Sequence, residues 1–193
     1  MKNLKLLVIV FICFFISCMG KRKTEEKIVE DKLAKQLVRE ITNRNNINFE
    51  HVTVILSFLA KKDDSFQLFY SEDYMLSFNE KDMITTGFKG SNNYQSIVFK
   101  LPKNVFPDRY RLDVGSNIEQ KWIKIESLQF RYGNNEIFIP QQLISKLLVP
   151  NTFIEYNEFE NVYNLLTLNV EKNDIYDPYF TCSPELVRLL LEL

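Results

Sequence analysis

Arg109-Tyr110-Arg111-Leu112-Asp113-Val114-Gly115 decides the fold class. Polar and apolar residues alternate strictly over six positions, then glycine ends the run. A period of two puts Tyr110, Leu112 and Val114 on one face of a strand, with Arg109, Arg111 and Asp113 on the other. The same period recurs on both sides. Val52, Val54, Leu56, Phe58 and Ala60 alternate, the turn Lys61-Lys62-Asp63-Asp64 follows, and Phe66, Leu68 and Tyr70 resume. These two runs read as a hairpin. Gly87 to Gly90 reads as a turn and Gln95 to Leu101 as a strand. Pro102 to Asp108 is a loop, and Gly115-Ser116-Asn117 another. In Trp122 to Tyr132 the phase slips at Glu126-Ser127, the signature of a bulge. Ile137 to Ile139, Thr152 to Tyr156 and Asn164 to Val170 are further strands. Gln141 to Leu148 is a helical segment, and Ser183-Pro184 opens a C-terminal helix, proline fitting its first position. Many short strands without βα alternation predict a mostly β protein, an antiparallel sandwich of jelly-roll type, over residues 47–193.

Ahead of this body the period is different. Val29, Leu33, Leu37 and Ile41 recur every four residues, with Ile28 and Val38 beside them, which predicts an amphipathic helix over Thr24 to Asn43. Residues 18–46 read as a charged, partly helical tether. Further forward, Lys2 and Lys5 precede an unbroken apolar run from Leu6 to Ile16. Eleven residues rise only about 16 Å as a helix, against about 30 Å of hydrocarbon. Residues 1–17 therefore read as a cleaved signal peptide rather than a span.

Phe15-Ile16-Ser17-Cys18 resembles the lipobox of bacterial lipoproteins. Ser17 fits the small position and Cys18 the lipidated one, while Phe15 replaces the usual leucine. The resemblance implies diacylation of Cys18, cleavage before it, and attachment to the bilayer outside the cytoplasm, in the cell envelope. Two acyl chains suffice for stable anchoring, and Lys21-Arg22-Lys23 can add attraction to anionic headgroups. Cleavage would remove Cys13 and leave Cys182 as the one free thiol, so the body must fold without an internal disulfide.

Phe66 to Tyr70, Gln95 to Pro102, Arg109 to Gly115 and Ile123 to Leu128, in that order, resemble carbohydrate-binding modules of the galactose-binding-like jelly-roll type. That resemblance implies glycan as a ligand class. Sugar rings stack on aromatic planes while amides and acids bind their hydroxyls. Trp122, Tyr94 and Tyr70, with Tyr74 and Tyr132, are the aromatic candidates, and Asn92, Asn93 and Gln95 flank Tyr94. Arg111 and Asp113, with Arg109, are the charged candidates. The other reading of that charged face is a cross-strand ion pair that fixes register.

The composition bounds the chemistry. Lys and Arg number 24 against 25 Asp and Glu, so nothing suggests a nucleic-acid partner. A single histidine, His51, has no Gly-x-Ser-x-Gly turn to serve. Five glycines argue against a phosphate-cradling loop. Asp63-Asp64, Asp73, Asp174 and Asp177 lack the spacing of a calcium loop, and no pair among Glu155, Glu158 and Glu160 stands out as a glycosidase dyad. Nothing beside Cys182 would activate its thiol. The expectation is a non-catalytic lipoprotein, without cofactor or metal, whose sandwich binds a glycan or an envelope protein. The alternative is an accessory subunit of an envelope or surface-polysaccharide assembly.

The lipobox makes a direct prediction. Intact-mass analysis of the chain expressed with its own N-terminus should show cleavage before Cys18 and a diacylglyceryl increment. Both should vanish in Cys18→Ser. An unmodified, uncleaved wild-type chain would end the lipoprotein reading.

Overall fold

The computed structural model describes residues 51–73, 77–167 and 175–193, all within the second of two units of the chain, Phe49–Leu193. The signal peptide and tether assigned from sequence lie outside the described residues, as does Tyr74. Two antiparallel sheets face each other. The first carries β1 (Thr53–Leu59), β4 (Gln95–Lys100), β6 (Trp122–Tyr132), β9 (Ile154–Asn157) and β10 (Val162–Leu165) in the order β4-β1-β6-β10-β9. β7 (Asn135–Pro140) also pairs with β6, beyond the stretch that β10 occupies. The second sheet carries β2 (Asp64–Ser71), β3 (Met83–Phe88), β5 (Arg109–Asp113), β8 (Leu148–Pro150) and β11 (Tyr179–Cys182) in the order β3-β2-β5-β11-β8. Helix α1 (Gln141–Leu147) and helix α2 (Pro184–Leu190) complete the body.

The period-two pattern explains the core. Val54, Leu56 and Phe58 of β1 and Ile97 and Phe99 of β4 face Phe66, Leu68 and Tyr70 of β2 and Tyr110 and Leu112 of β5 in one buried cluster. Aromatic rings join the two sheets. Tyr110 lies 5.2 Å from Phe130, Tyr163 lies 5.0 Å from Phe180, and Phe58, Phe66 and Phe88 form a triangle with centroids 4.6–4.8 Å apart. The expected bulge is present. Ser57 pairs with Ser127 but Phe58 pairs with Ile125, which leaves Glu126 as the extra residue, and its carboxylate accepts from the Ser57 hydroxyl at 2.7 Å. At α2 the Ser183 hydroxyl accepts from the Leu186 amide at 3.2 Å, with Pro184 in the first turn.

The structure corrects the hairpin expected from β1 and β2. The two strands lie in different sheets, and residues 60–63 form a corner between them. Both strands bury their alternate residues in the same core from opposite sides, which a hairpin within one sheet would not allow. The corner is held from outside itself. Gln120 is 3% exposed, and its Oε1 accepts from the amides of Lys61 and Lys62 at 3.0 and 2.8 Å while its Nε2 donates to the Trp122 carbonyl. Asp63 accepts from the Gly90 amide at 2.8 Å, and the Ser91 amide donates to the Ala60 carbonyl at 2.8 Å. Gly90 packs so closely that a Cβ there would come within 2.3 Å of the Lys61 carbonyl oxygen.

Other boundaries also move. β3 occupies Met83–Phe88, so Gly87 lies inside a strand and the turn follows it. β8 and β11 were not foreseen. β9 starts at Ile154 rather than Thr152, and β10 occupies Val162–Leu165; the end of the expected strand, 168–170, lies outside the described residues.

Gln120→Leu strands buried donors and an acceptor at the corner, and should cost about 1–3 kcal/mol. Gly90→Ala forces the new Cβ against the Lys61 backbone and should cost a similar amount, about 1–3 kcal/mol. Gly133, at φ 56° in open space, should tolerate alanine at a cost of about 1 kcal/mol. Urea unfolding of the three variants measures this, and a Gln120→Leu midpoint equal to wild type would refute the role given to the corner.

Candidate functional site

The outer face of the second sheet carries two rows fixed by strand register. Met83, Phe69, Arg111, Thr181 and Val149 stand side by side across five strands. The next row runs Thr85, Gln67, Asp113, Tyr179. Arg111 and Asp113 share this face because they are two residues apart on β5, as their alternation predicts. Arg111 grips Asp113 with both arms, Nε to Oδ1 and Nη2 to Oδ2, each at 2.7 Å. Its Nη2 also donates to Asp177 Oδ2 at 2.6 Å. The guanidinium stands 3.9 Å from the Tyr179 ring centroid and 5.1 Å from that of Phe69. The pair is thus neither cross-strand nor open to solvent. It lies along one strand, and Asp113 is 5% exposed beneath its partners.

Three charges in this space perturb one another. Burial pushes the Asp113 carboxyl up to about 6 from an ordinary 3.8; the Arg111 hydrogen bonds pull it back, and the nearby Asp177 carboxylate adds to the rise. Burial works against the charge of Arg111, but the two carboxylates outweigh it and hold the guanidinium above its ordinary value. Asp177 is the exposed member, with its side chain 45% accessible.

Asp177 and Tyr179 line an open cavity of about 760 Å³ with Pro150, Asn151, Thr152, Phe153 and Ile175. Asn151 shapes it. Its Nδ2 donates to the Asp177 carbonyl at 2.6 Å, and its Oδ1 accepts from the amides of Phe153 and Tyr179 at 3.2 and 3.3 Å. Its amide donates to the Tyr179 carbonyl at 3.0 Å, extending the β8–β11 ladder. The cavity therefore combines aromatic surface with the Asp177 carboxylate and the Thr152 hydroxyl, while the Asn151 side chain is committed to the surrounding backbone.

The residues singled out by sequence do not converge on one place. Arg111 and Asp113 come together beside this cavity. Tyr70 is a correction: it points inward from β2 and is buried in the core, so its ring is not available for stacking on a ligand. Trp122 lies at the start of β6 in the first sheet, paired with Asn164 and half-buried, with Lys61 Nζ 5.4 Å from its ring centroid. Tyr94 is 43% exposed just before β4 in the same sheet. Tyr132 meets Phe106 edge-on at 4.9 Å. Asn151, Thr152, Phe153 and Tyr179 carry no sequence signal that marks them as site residues, and Asp177 carries only a carboxylate without the spacing of a calcium loop.

Several other candidates hold the backbone or pair with neighbouring side chains, and Asp174 lies outside the described residues. His51 Nδ1 bonds the Leu101 carbonyl at 2.5 Å. Asp63 takes Lys89 Nζ at 2.6 Å, and Asp64 accepts from the Ser65 and Asn117 amides at 2.8 and 3.0 Å. No cluster of three or more His, Cys, Asp or Glu suited to a metal occurs among the described residues. Cys182 faces the core, and burial pushes its thiol up to about 12.

Fold and site together define a β-sandwich protein with an open polar-aromatic cavity on the outside of one sheet. No protein-family model, curated protein or solved structure matches the chain.

The charge cluster predicts a pH effect of definite sign. The folded protein holds the Asp113 proton more tightly than the unfolded chain does, so its contribution is fully present below about 3.8 and is lost as pH rises through about 6. The stability of wild type relative to Asp113→Asn should therefore grow as pH falls from about 7 to about 4, by on the order of 1–3 kcal/mol. Urea titrations at stepped pH measure it, and a pH-independent difference would contradict the assignment.

Proposed function

We propose that this protein is an envelope lipoprotein, held to the bilayer by diacylated Cys18, whose sandwich binds a glycan without transforming it. The observation that carries the ligand-binding part is the open cavity bounded by Asn151, Thr152, Phe153, Asp177 and Tyr179. Its volume of about 760 Å³ falls within the roughly 300–1,000 Å³ of small-molecule sites. Its mixture of ring surface and hydroxyl-binding groups suits a polyhydroxylated ligand. The Arg111–Asp113 pair acts as its foundation, since Arg111 also holds the Asp177 carboxylate at the cavity's edge. The anchoring part rests on Lys2, Lys5, the apolar run and the Ser17-Cys18 step. The jelly-roll reading is supported by the way successive strands change sheets: β1 in the first, β2 and β3 in the second, β4 in the first, β5 in the second, β6 in the first.

A second reading, an accessory subunit of an envelope assembly, is favoured by the outer face of the first sheet. Register aligns Val98, Ile55, Gln129 and Phe138 across four strands. Val98 is 51% and Phe138 57% exposed, an apolar row of the kind that marks contact surfaces.

The glycan reading is tested by titrating the full-length protein against an array of bacterial surface-glycan fragments. Thr152→Trp should crowd the cavity and weaken any saturable binding by about tenfold or more, equivalent to about 1.4 kcal/mol. Binding unchanged by Thr152→Trp, or absent from every fragment, would remove the cavity from consideration as a glycan site.

A further inference from the structure

Charge at the cavity does not balance. Arg111 is one cation shared between two carboxylates, Asp113 and Asp177, at 2.6–2.7 Å. Asp113 is buried and gives both its oxygens to Arg111. Asp177 gives only Oδ2, and its Oδ1 takes no donor among the described residues. The unbalanced negative charge therefore meets the cavity at one atom, on a side chain that is 45% accessible. That side chain is held in place, because Asn151 Nδ2 binds the Asp177 carbonyl at 2.6 Å while Arg111 binds the carboxylate. The described residues that line the cavity include no lysine, arginine or histidine. Arg109, the next cation along β5, donates instead to the Asp73 carbonyl at 3.2 Å and stands 5.1 Å from the Phe78 ring centroid. Residues 154–165, which leave the cavity, add Glu155, Glu158 and Glu160, all exposed, and no lysine or arginine.

Beside Asp177 the cavity offers the Tyr179 ring, the exposed Ile175 side chain and the Thr152 hydroxyl. We propose that the cavity selects glycans carrying a free primary amine, with the ammonium on Asp177 Oδ1 and the neighbouring ring hydroxyl on Thr152. The inference rests on the glycan reading of the cavity and adds the class of glycan. Each competing ligand fails on a stated ground. A uronate or a phosphorylated sugar brings a like charge to Asp177. A neutral or N-acetylated sugar covers the carboxylate without supplying a counter-charge, which costs desolvation. A calcium ion needs about six to eight oxygens, and Asp113 has none left to give. An ammonium compensates the charge and donates strong, charge-assisted hydrogen bonds to a carboxylate. A lysine side chain carries an ammonium but no adjacent hydroxyl. A 2-amino sugar carries both on neighbouring carbons, which matches the pairing of Asp177 with Thr152.

Calorimetric titration of the full-length protein in a neutral detergent, at about pH 7 and low ionic strength, tests it. That pH lies above the Asp113 value of about 6, so the buried carboxyl keeps its charge. The probes are the tetramers of glucosamine, N-acetylglucosamine and galacturonic acid, with tetralysine as the peptide control. The expected result is that the glucosamine tetramer binds about tenfold or more tighter than its N-acetylated counterpart, with the galacturonate tetramer and tetralysine weaker still. Asp177→Asn keeps the Arg111–Asp113 fork and removes the free charge, and should shrink the preference to about twofold or less. Thermal unfolding checks that this variant is folded, and the comparison of amine with N-acetyl in the wild type needs no variant. Equal affinity for the glucosamine and N-acetylglucosamine tetramers, or a preference for galacturonate, would overturn the proposal and leave the glycan reading of the cavity standing. Tetralysine binding as tightly as the glucosamine tetramer, or a preference that survives Asp177→Asn, would overturn it as well. Binding of none of the sugars would also overturn it, and the wider fragment array then decides separately whether the cavity takes any glycan.

Discussion

The corner between β1 and β2 is the constraint on which the rest of the sandwich depends. A chain that leaves one sheet and enters the facing one must expose several backbone donors and acceptors at the crossing, where no ladder can take them. Here a single buried amide does much of that work. Gln120 arrives from the far side of the β5–β6 connection and closes on the amides of Lys61 and Lys62 while giving its own hydrogen to the Trp122 carbonyl. The corner is thus tied to the first residue of the longest strand. The Phe58, Phe66 and Phe88 triangle fills the space beneath it, one ring from each of the three strands that meet there. With β1 and β2 in different sheets, β3 pairs with β2, β4 returns to β1, and β5 returns to β2.

That division decides what each outer face can do. The inner residues of both sheets are spent on one core, so any interaction must come from the alternate positions. On the second sheet those positions are Phe69, Arg111, Asp113 and Tyr179, and they combine into a charged, aromatic-backed surface beside the cavity. On the first sheet the corresponding positions include the largely apolar row Val98, Ile55, Gln129 and Phe138, flanked by Lys100, Thr53, Arg131 and Glu136 on one side and by Ser96, Ser57 and Ser127 on the other.

Much of this was legible from period alone. The alternation in β1, β2, β4, β5 and β6 predicts which residues enter the core, and the slip at Glu126-Ser127 predicts the bulge. The Ser183-Pro184 step predicts the second helix. What the pattern could not supply was partnership. Lys61-Lys62-Asp63-Asp64 has the composition of a hairpin turn, and the residue that makes it a corner, Gln120, is 58 positions away. Met83-Ile84-Thr85-Thr86-Gly87-Phe88 hides its strand because its glycine reads as punctuation, and β8 is too short at three residues to show a period. For the site, alternation placed Arg111 and Asp113 on one face correctly. It gave no sign that Asp177, 66 residues later, would complete the cluster, because Asp177 lies in an irregular segment where neither period applies. Tyr70 is the opposite case: its alternation with Phe66 and Leu68 assigns it to the core, where it is buried, whatever its aromatic chemistry could offer a ligand.

The Arg111 cluster shows why a buried ion pair here is better understood as a positioning device than as a source of stability. Desolvating Asp113 costs more than Arg111 returns, which is why the carboxyl sits near 6 rather than below 4. A leucine–valine pair at the same register would pack with less penalty. What hydrocarbon could not do is hold the irregular segment containing Asp177. The 2.6 Å bond from Nη2 fixes that carboxylate, Asn151 fixes the carbonyl of the same residue, and Tyr179 caps the guanidinium from the other side. The cavity's wall is therefore set by groups that lie on three separate pieces of chain, β5, the β8–β9 connection and the approach to β11. A sandwich needs none of these bonds to form its core. Their presence on the outer face fixes the cavity's wall at a cost in free energy.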